Sequence, residues 1–166
     1  MSLRLAVLGL GRGAVLTVPA LAAHPEIEIV AACDPNPAAL AGFGQPGFAS
    51  AAELFDWGRF DAVYIASPNA IHFTQALRAV EAGKHVLVEK PAVLTPADFA
   101  TLTAAAARNG VIVLEAMRNA YDPALAAVAD LSAQLGPVRR ASFAYCQRSA
   151  RYDKVLAGER VNIFDP

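Results

Sequence analysis

Lysine is scarce in this chain, with only Lys84, Lys90 and Lys154. Lys90 stands in the triplet Glu89-Lys90-Pro91, directly after the apolar run His85–Val88. A lysine beside an acid at the carboxyl end of a strand can hold a substrate hydroxyl. With a lowered pKa it can also move a proton. A solvated ion pair at a loop is the plainer alternative. A second cluster lies near the amino terminus, where Gly9-Leu10-Gly11-Arg12-Gly13-Ala14 fits the pattern G-x-G-x-x-G/A. Each position has a physical reason: Gly9 permits a tight turn, and Gly11 lets a pyrophosphate approach the backbone. Ala14 allows close helix–strand packing, and a helix N-terminus meets the phosphate charge. Glycine turns also close ordinary strand–helix corners, so the motif needs context.

Asp34 supplies that context. It follows about twenty residues after the turn, where an acid can bind the adenosine ribose hydroxyls. Before Pro35 it also reads as a turn-forming Asp. Asp34-Pro35-Asn36 offers no arginine for a 2′-phosphate, and a carboxylate there repels one, so NAD is expected over NADP. Methyltransferases also place a glycine turn and an acid after successive strands, and the first half of the chain does not separate the two. The second half does. Ser67-Pro68-Asn69 follows another apolar run, His72 comes three residues on, and Glu89-Lys90-Pro91 ends the next. Open α/β sheets bind ligands at such carboxyl ends.

The elements that must position these residues alternate. The apolar runs Leu3–Leu8, Ile27–Cys33, Ala62–Ala66, His85–Val88 and Val111–Leu114 are continuous, as in strands covered on both faces. Phe73, Ala76, Leu77 and Val80 carry a helical stripe that ends at Gly83. Thr95-Pro96-Ala97-Asp98 reads as N-cap, proline at the first position and an acid in the first turn, with the helix stopping before Gly110. Pro19 falls inside the first expected helix, so a kink or a short helix is expected there. The fold class is α/β: a doubly wound parallel sheet over residues 1–118 that forms a Rossmann dinucleotide-binding domain. After Asn119 the pattern changes. Asp122-Pro123 opens a helix with Leu125, Val128, Leu131 and Leu135 on one stripe, and Gly136-Pro137 stops it. Val138 to Gln147 reads as a strand and Ser149 to Pro166 as loop. Residues 119–166 are therefore expected to be the truncated start of an α+β substrate domain.

The segments Gly9–Gly13, Asp34-Pro35, Ser67-Pro68-Asn69 with His72, and Ala82–Pro91 together resemble the glucose–fructose oxidoreductase and inositol dehydrogenase family. The resemblance implies NAD(P)-dependent hydride transfer to or from a secondary alcohol of a sugar, cyclitol or diol. It assigns the pyrophosphate to Gly9, Gly11 and Arg12, with Gly13 and Ala14 as further cofactor-binding residues of the turn, and the adenosine ribose to Asp34. Ser67, Pro68 and Asn69 would pass under the nicotinamide half, and Glu89 would meet its ribose. Lys90 would face the substrate and move the hydroxyl proton. His72 reads either as a helix cap or as a residue closing the nucleotide pocket. Arg118 is a substitute contact where some members carry an arginine at the position of Ala120. Arg151, Tyr152 and Phe164 fall in a segment that borders the substrate pocket in relatives. The family's second domain carries a further acid that this chain does not reach. A nucleotide-binding module without turnover of its own is therefore the alternative. A homo-oligomer, or completion by a further C-terminal segment, is also expected.

Composition sets the outer bounds. The 166 residues carry a net charge of −1 and a pI near 6.3, which argues against a nucleic-acid partner. Hydrophobic residues make up 55%, too many for disorder. No apolar run approaches the ~20 residues that span a bilayer, and Met1–Leu8 lacks the form of a signal peptide. A cytoplasmic protein is expected. Cys33 and Cys146 lack metal-ligand spacing, so no metal is expected. Arg139-Arg140 is too short for a basic patch, and Trp57 reads as a packing anchor in a polar loop.

Overall fold

Alternate residues of the apolar runs face opposite ways, and both sets are buried or half-buried toward the carboxyl ends of the first four runs, while Ile112 and Leu114 of the last run are exposed. In the computed structural model, which describes residues 2–134, 136–144, 146 and 152–157, these runs become parallel strands. They are β1 (Leu3–Leu8), β2 (Ile27–Cys33), β3 (Gly47–Phe48), β4 (Ala62–Ile65), β5 (His85–Val88) and β6 (Val113–Glu115). Their order in the sheet is β3-β2-β1-β4-β5-β6, all parallel. The helices that connect them are α1 (Ala14–Ala22), α2 (Pro37–Leu40), α3 (Ala51–Trp57), α4 (His72–Glu81) and α5 (Pro96–Asn109).

On one face, Ala6, Leu8, Val63, Ile65, Val86 and Val88 pack with Leu54 of α3, Val80 of α4 and Leu102 of α5. On the other, Leu5, Val7, Ala32 and Tyr64 pack with Ala14, Val18 and Leu21 of α1. This is the doubly wound Rossmann arrangement expected from the sequence. The chain crosses from one half of the sheet to the other between β3 and β4. That places β1 beside β4 and opens a crevice at their carboxyl ends.

Local signals decide the helix ends. Thr95 Oγ1 accepts the Asp98 N–H at 3.1 Å and donates to the Asp98 carboxylate at 2.8 Å, and Gly110 closes α5 at φ 67°. α1 has nine residues and contains Pro19. The helix runs on past it, because the Ala23 N–H donates to Pro19 O at 3.0 Å. The expected short first helix is the outcome. Two features depart from expectation. Trp57 ends α3 rather than lying in a loop, with its ring 5.5 Å from Phe48. Val111 and Ile112 lie outside the last strand, which begins at Val113.

A second compact unit begins at Met117. In it, Asp122 Oδ1 accepts the Ala124 N–H at 2.9 Å and starts α6 (Pro123–Gln134). The strand expected over Val138–Gln147 is not formed in its described part. Residues 138–144 carry no ladder bonds, and Phe143 is 93% exposed. A lone segment with no pairing partner cannot hold strand geometry. Tyr152–Leu156 forms a short helix, α7, where loop was expected.

Candidate functional site

Backbone bonding continues past the strand ends and draws the polar segments together. The Gly9 N–H donates to Cys33 O, the Ala66 N–H to Leu8 O, and the Glu89 N–H to Ile65 O, each at 2.8 Å. The glycine turn, the segment after β4 and the segment after β5 are thus fixed at one edge of the sheet. Gly9 has φ 95°. A β-carbon there would lie 2.7 Å from both Ala66 C and Ser67 N. Gly9 is therefore required both by its backbone conformation and by the peptide passing over it. Gly11 differs, since a β-carbon there would meet no protein atom within 4 Å. Arg12 is exposed and Ala14 is buried against the sheet.

No side chain caps the N-terminus of α1, which opens at Gly13. The Ala14 N–H is taken by Gly11 O at 3.0 Å, so an anion would meet the later N–H groups of the first turn, and the free space at Gly11 lies beside them. Both observations fit a pyrophosphate group between Gly11 and α1.

Asp34 follows β2 with its two oxygens engaged. Oδ2 accepts the Leu10 N–H at 2.8 Å, and Oδ1 accepts the Asn36 N–H at 2.8 Å. The second bond is the turn expected of an Asp before Pro35. The first ties the acid to the glycine turn itself. Asn36 then caps α2 by accepting the Ala38 N–H. Next to it, the Cys33 thiol is pushed up to about 11, first by burial and then by the charge of Asp34.

Ser67 follows β4 and donates from Oγ to Gln75 Oε1 at 2.5 Å. Pro68 is exposed, and Asn69 opens a 3-10 turn into α4. His72 is fully buried. Its Nδ1 lies 2.8 Å from Pro91 O and its Nε2 2.8 Å from Ser67 O. Those contacts correct the helix-cap expectation: the ring caps no first-turn N–H of its helix, and its two nitrogens lie against backbone oxygens. It fastens the segment after β4 to the segment after β5.

After β5, Glu89 Oε1 accepts from the Tyr64 hydroxyl at 2.8 Å, and that hydroxyl is 3.3 Å from Gly13 O. Glu89 Cγ lies 3.6 Å from where a β-carbon on Gly13 would stand, so this side chain runs directly beneath the glycine turn. Lys90 is exposed at the strand end, before a cis bond to Pro91. Lys84, by contrast, is structural. Its Nζ donates to Gly58 O at 2.9 Å and Phe60 O at 2.7 Å, and lies 4.8 Å from the centre of the Phe60 ring.

The structure thus brings Gly9, Gly11, Arg12, Gly13, Ala14, Asp34, Ser67, Pro68, Asn69, Glu89 and Lys90 to the carboxyl edge of one sheet. Arg118 opens a 3-10 turn, and Tyr152 opens α7, in the second unit. Arg151 and Phe164 lie outside the described residues. Sequence reasoning passed over Tyr64, although it is the one polar side chain inside the run Ala62–Ala66. It also gave no task to Glu115, whose carboxylate accepts the Ala92 N–H at 2.9 Å and steadies the segment after Pro91.

Comparison with known proteins agrees with this geometry. Residues 3–117 match the Gfo/Idh/MocA model, an oxidoreductase family with an NAD-binding Rossmann fold. The chain is 43% identical over 107 residues to IolU of Bacillus subtilis, a scyllo-inositol 2-dehydrogenase (NADP+). That match covers 64% of this chain and 33% of the relative. Among solved structures, it resembles the WlbA dehydrogenase of Bordetella pertussis, determined with NADH and UDP-GlcNAcA. The TM-score is 0.75 and the identity 29%, over 81% of this chain and 42% of that one. It also resembles KijD10, a 3-ketoreductase of Actinomadura kijaniata determined with NADP and TDP-benzene. There the TM-score is 0.77 and the identity 29%, over 81% and 43% of the two chains. The chain spans about a third of the length of IolU and under half of the other two. The family match runs from the first strand of the sheet through the last, and this chain belongs to the Gfo/Idh/MocA oxidoreductase family.

Proposed function

We propose that this chain supplies the cofactor half of an NAD(P)-dependent oxidoreductase acting on a secondary alcohol of a sugar, cyclitol or diol. The observation that supports it most is the gathering of the glycine turn, Asp34, Ser67–Asn69 and Glu89-Lys90 along one sheet edge. When bound, the nicotinamide supplies the hydride chemistry. The chain supplies the rest. The N–H groups at the start of α1 hold the pyrophosphate, with Arg12 beside them. Asp34 accepts from the adenosine ribose, and its charge favours NAD over NADP. Ser67, Pro68 and Asn69 lie under the nicotinamide half, and Glu89 meets its ribose. Lys90 Nζ holds the substrate hydroxyl and exchanges its proton.

Sugar and cyclitol chemistry is carried by the relatives, IolU on scyllo-inositol and WlbA with a sugar nucleotide. Among the described residues no helix is long and apolar enough to cross a membrane. A cytoplasmic setting, and a homo-oligomer or completion by a further segment, belong to the same reading. A second reading is a module that holds the nucleotide without turnover. The residues that match the family are those of its NAD-binding Rossmann fold, which supports it.

Fluorescence titration with NADH and NADPH tests the proposal. Both are expected to bind, NADH more tightly, and Asp34→Ala is expected to weaken NADH more than NADPH. An equal loss removes the ribose assignment, and no binding of either removes the proposal. Binding without oxidation of any polyol selects the second reading.

A further inference from the structure

We infer that Tyr64 is a positioning residue for the nicotinamide side of the cofactor site, acting through Glu89. The inference rests on the cofactor reading above. Tyr64 is fully buried in the middle of β4, on the face that carries α1. Strand alternation puts its side chain on the same face as Ala62 and points the hydroxyl toward the glycine turn. There the hydroxyl meets two oxygens from different elements: Glu89 Oε1 at 2.8 Å and Gly13 O at 3.3 Å. A phenol has a single proton to donate. The shorter contact, to a carboxylate, takes it, and Gly13 O is the weaker second neighbour.

The consequence lies in Glu89. A glutamate has three side-chain torsions and loses considerable freedom when fixed. With one oxygen held by Tyr64, the carboxylate keeps a single position beneath Gly13, and its other oxygen faces outward next to Lys90. Its N–H neighbour supports that placement, since the Lys90 N–H donates to Glu89 Oε2 at 3.3 Å. One hydroxyl on β4 thus sets where the acid of β5 stands relative to the turn between β1 and α1. Phenylalanine would pack equally well at this position and would remove the shorter of the two bonds that hold Glu89.

The test uses Tyr64→Phe, Glu89→Ala and the double variant, titrated with NADH and with ADP. Re-ordering one freed side chain on binding costs roughly two- to twelve-fold in affinity. Tyr64→Phe is expected to weaken NADH by about that factor and to leave ADP, which lacks the nicotinamide ribose, unchanged. In the Glu89→Ala background the same change is expected to have no further effect, because its route is gone. A packing role predicts the opposite: a loss that persists without Glu89, or one shared by ADP. Either result overturns the inference, as does wild-type NADH affinity in Tyr64→Phe. The wild-type titration separates the two levels, since a wild-type chain that binds no NADH overturns the cofactor reading first. A crystal structure of the wild-type chain with NADH gives a second measurement that does not depend on the variants. Glu89 is expected to accept from a ribose hydroxyl while still bonded to Tyr64 Oη. A carboxylate swung away from Tyr64 overturns the inference.

Discussion

Gly9 and Gly11 are two residues apart, and the structure gives them different tasks. In Gly9→Ala the new methyl group would stand 2.7 Å from Ala66 C and Ser67 N and 2.8 Å from Ala66 O. All three are backbone atoms and cannot rotate away. Overpacking of this kind costs about 1–3 kcal/mol. The φ of 95° adds strain of about 1–2 kcal/mol for a residue with a β-carbon. The sum of roughly 2–5 kcal/mol is a large part of the ~5–15 kcal/mol that holds a domain together. Trp57, the single tryptophan, lies in α3 of the same unit and reports its unfolding. With a urea slope of about 2 kcal/mol/M, the midpoint should fall by about 1–2.5 M. Gly11→Ala meets nothing within 4 Å and has no positive φ. Its midpoint should stay where it is or rise slightly, by about 0.4–1 kcal/mol of lost unfolded-state freedom. Its NADH affinity should nevertheless fall at least about tenfold, because the methyl group occupies the space beside α1 where the proposal puts the pyrophosphate. The reasoning is refuted if Gly11→Ala lowers the midpoint as far as Gly9→Ala does. Unchanged NADH binding in Gly11→Ala refutes the placement of the pyrophosphate.

Other consequences can be measured on the same protein. His72→Leu should cost about 1–3 kcal/mol by urea denaturation, since the N–H that the ring gives to Ser67 O or Pro91 O is lost. A loss below about 1 kcal/mol contradicts the bridging role. At pH 8 the Cys33 thiol, pushed up to about 11, is almost wholly protonated and shielded. Iodoacetamide should therefore label exposed Cys146 in the native chain, and both cysteines only in denaturant. Equal native labelling of the two by mass spectrometry contradicts this. Asp61 is held at about 2 rather than 3.8, chiefly by the hydrogen bond from the Arg4 guanidinium. A carboxyl depressed in the folded state adds stability above about pH 4 and loses it as pH falls toward 2. Asp61→Asn should flatten that acid limb, by a small amount because both side chains are exposed. Identical acid profiles count against the assignment.

The strands were readable where burial on both faces left a continuous apolar run, as in β1, β2, β4 and β5. β3 was not, because two residues make no run. Gly47–Phe48 are held by backbone bonds around them, Ala32 N–H to Pro46 O and Asp34 N–H to Phe48 O. The helix α3 was missed, with Trp57 read as part of a loop, although its start carries a signal. Ser50 accepts the Glu53 N–H at 3.3 Å, and serine followed three residues later by glutamate is a start signal. The glycine turn, Asp34 and the strand-end residues were legible because their chemistry depends on residue type. The second tasks of Asp34, His72 and Glu89 were not, because each partner lies on a different element. A sequence does not show that the carboxylate of Asp34 turns back to Leu10, or that the ring of His72 lies between Ser67 O and Pro91 O. The expected strand after Val138 failed for a related reason: alternation describes a face, and a strand also needs a neighbour.

The two bonds that fix Asp34 also bear on the rates of binding. Its carboxylate is already oriented, held from the glycine turn on one side and from the start of α2 on the other. On the proposed ribose contact, an adenosine ligand finds an acceptor that needs no rearrangement, and encounter should proceed at similar speed for ligands that differ only at the ribose. What the 2′ position carries then governs how long the complex lasts. Stopped-flow traces with NADH and NADPH should share an association rate and differ in dissociation, which would make Asp34 a determinant of residence time.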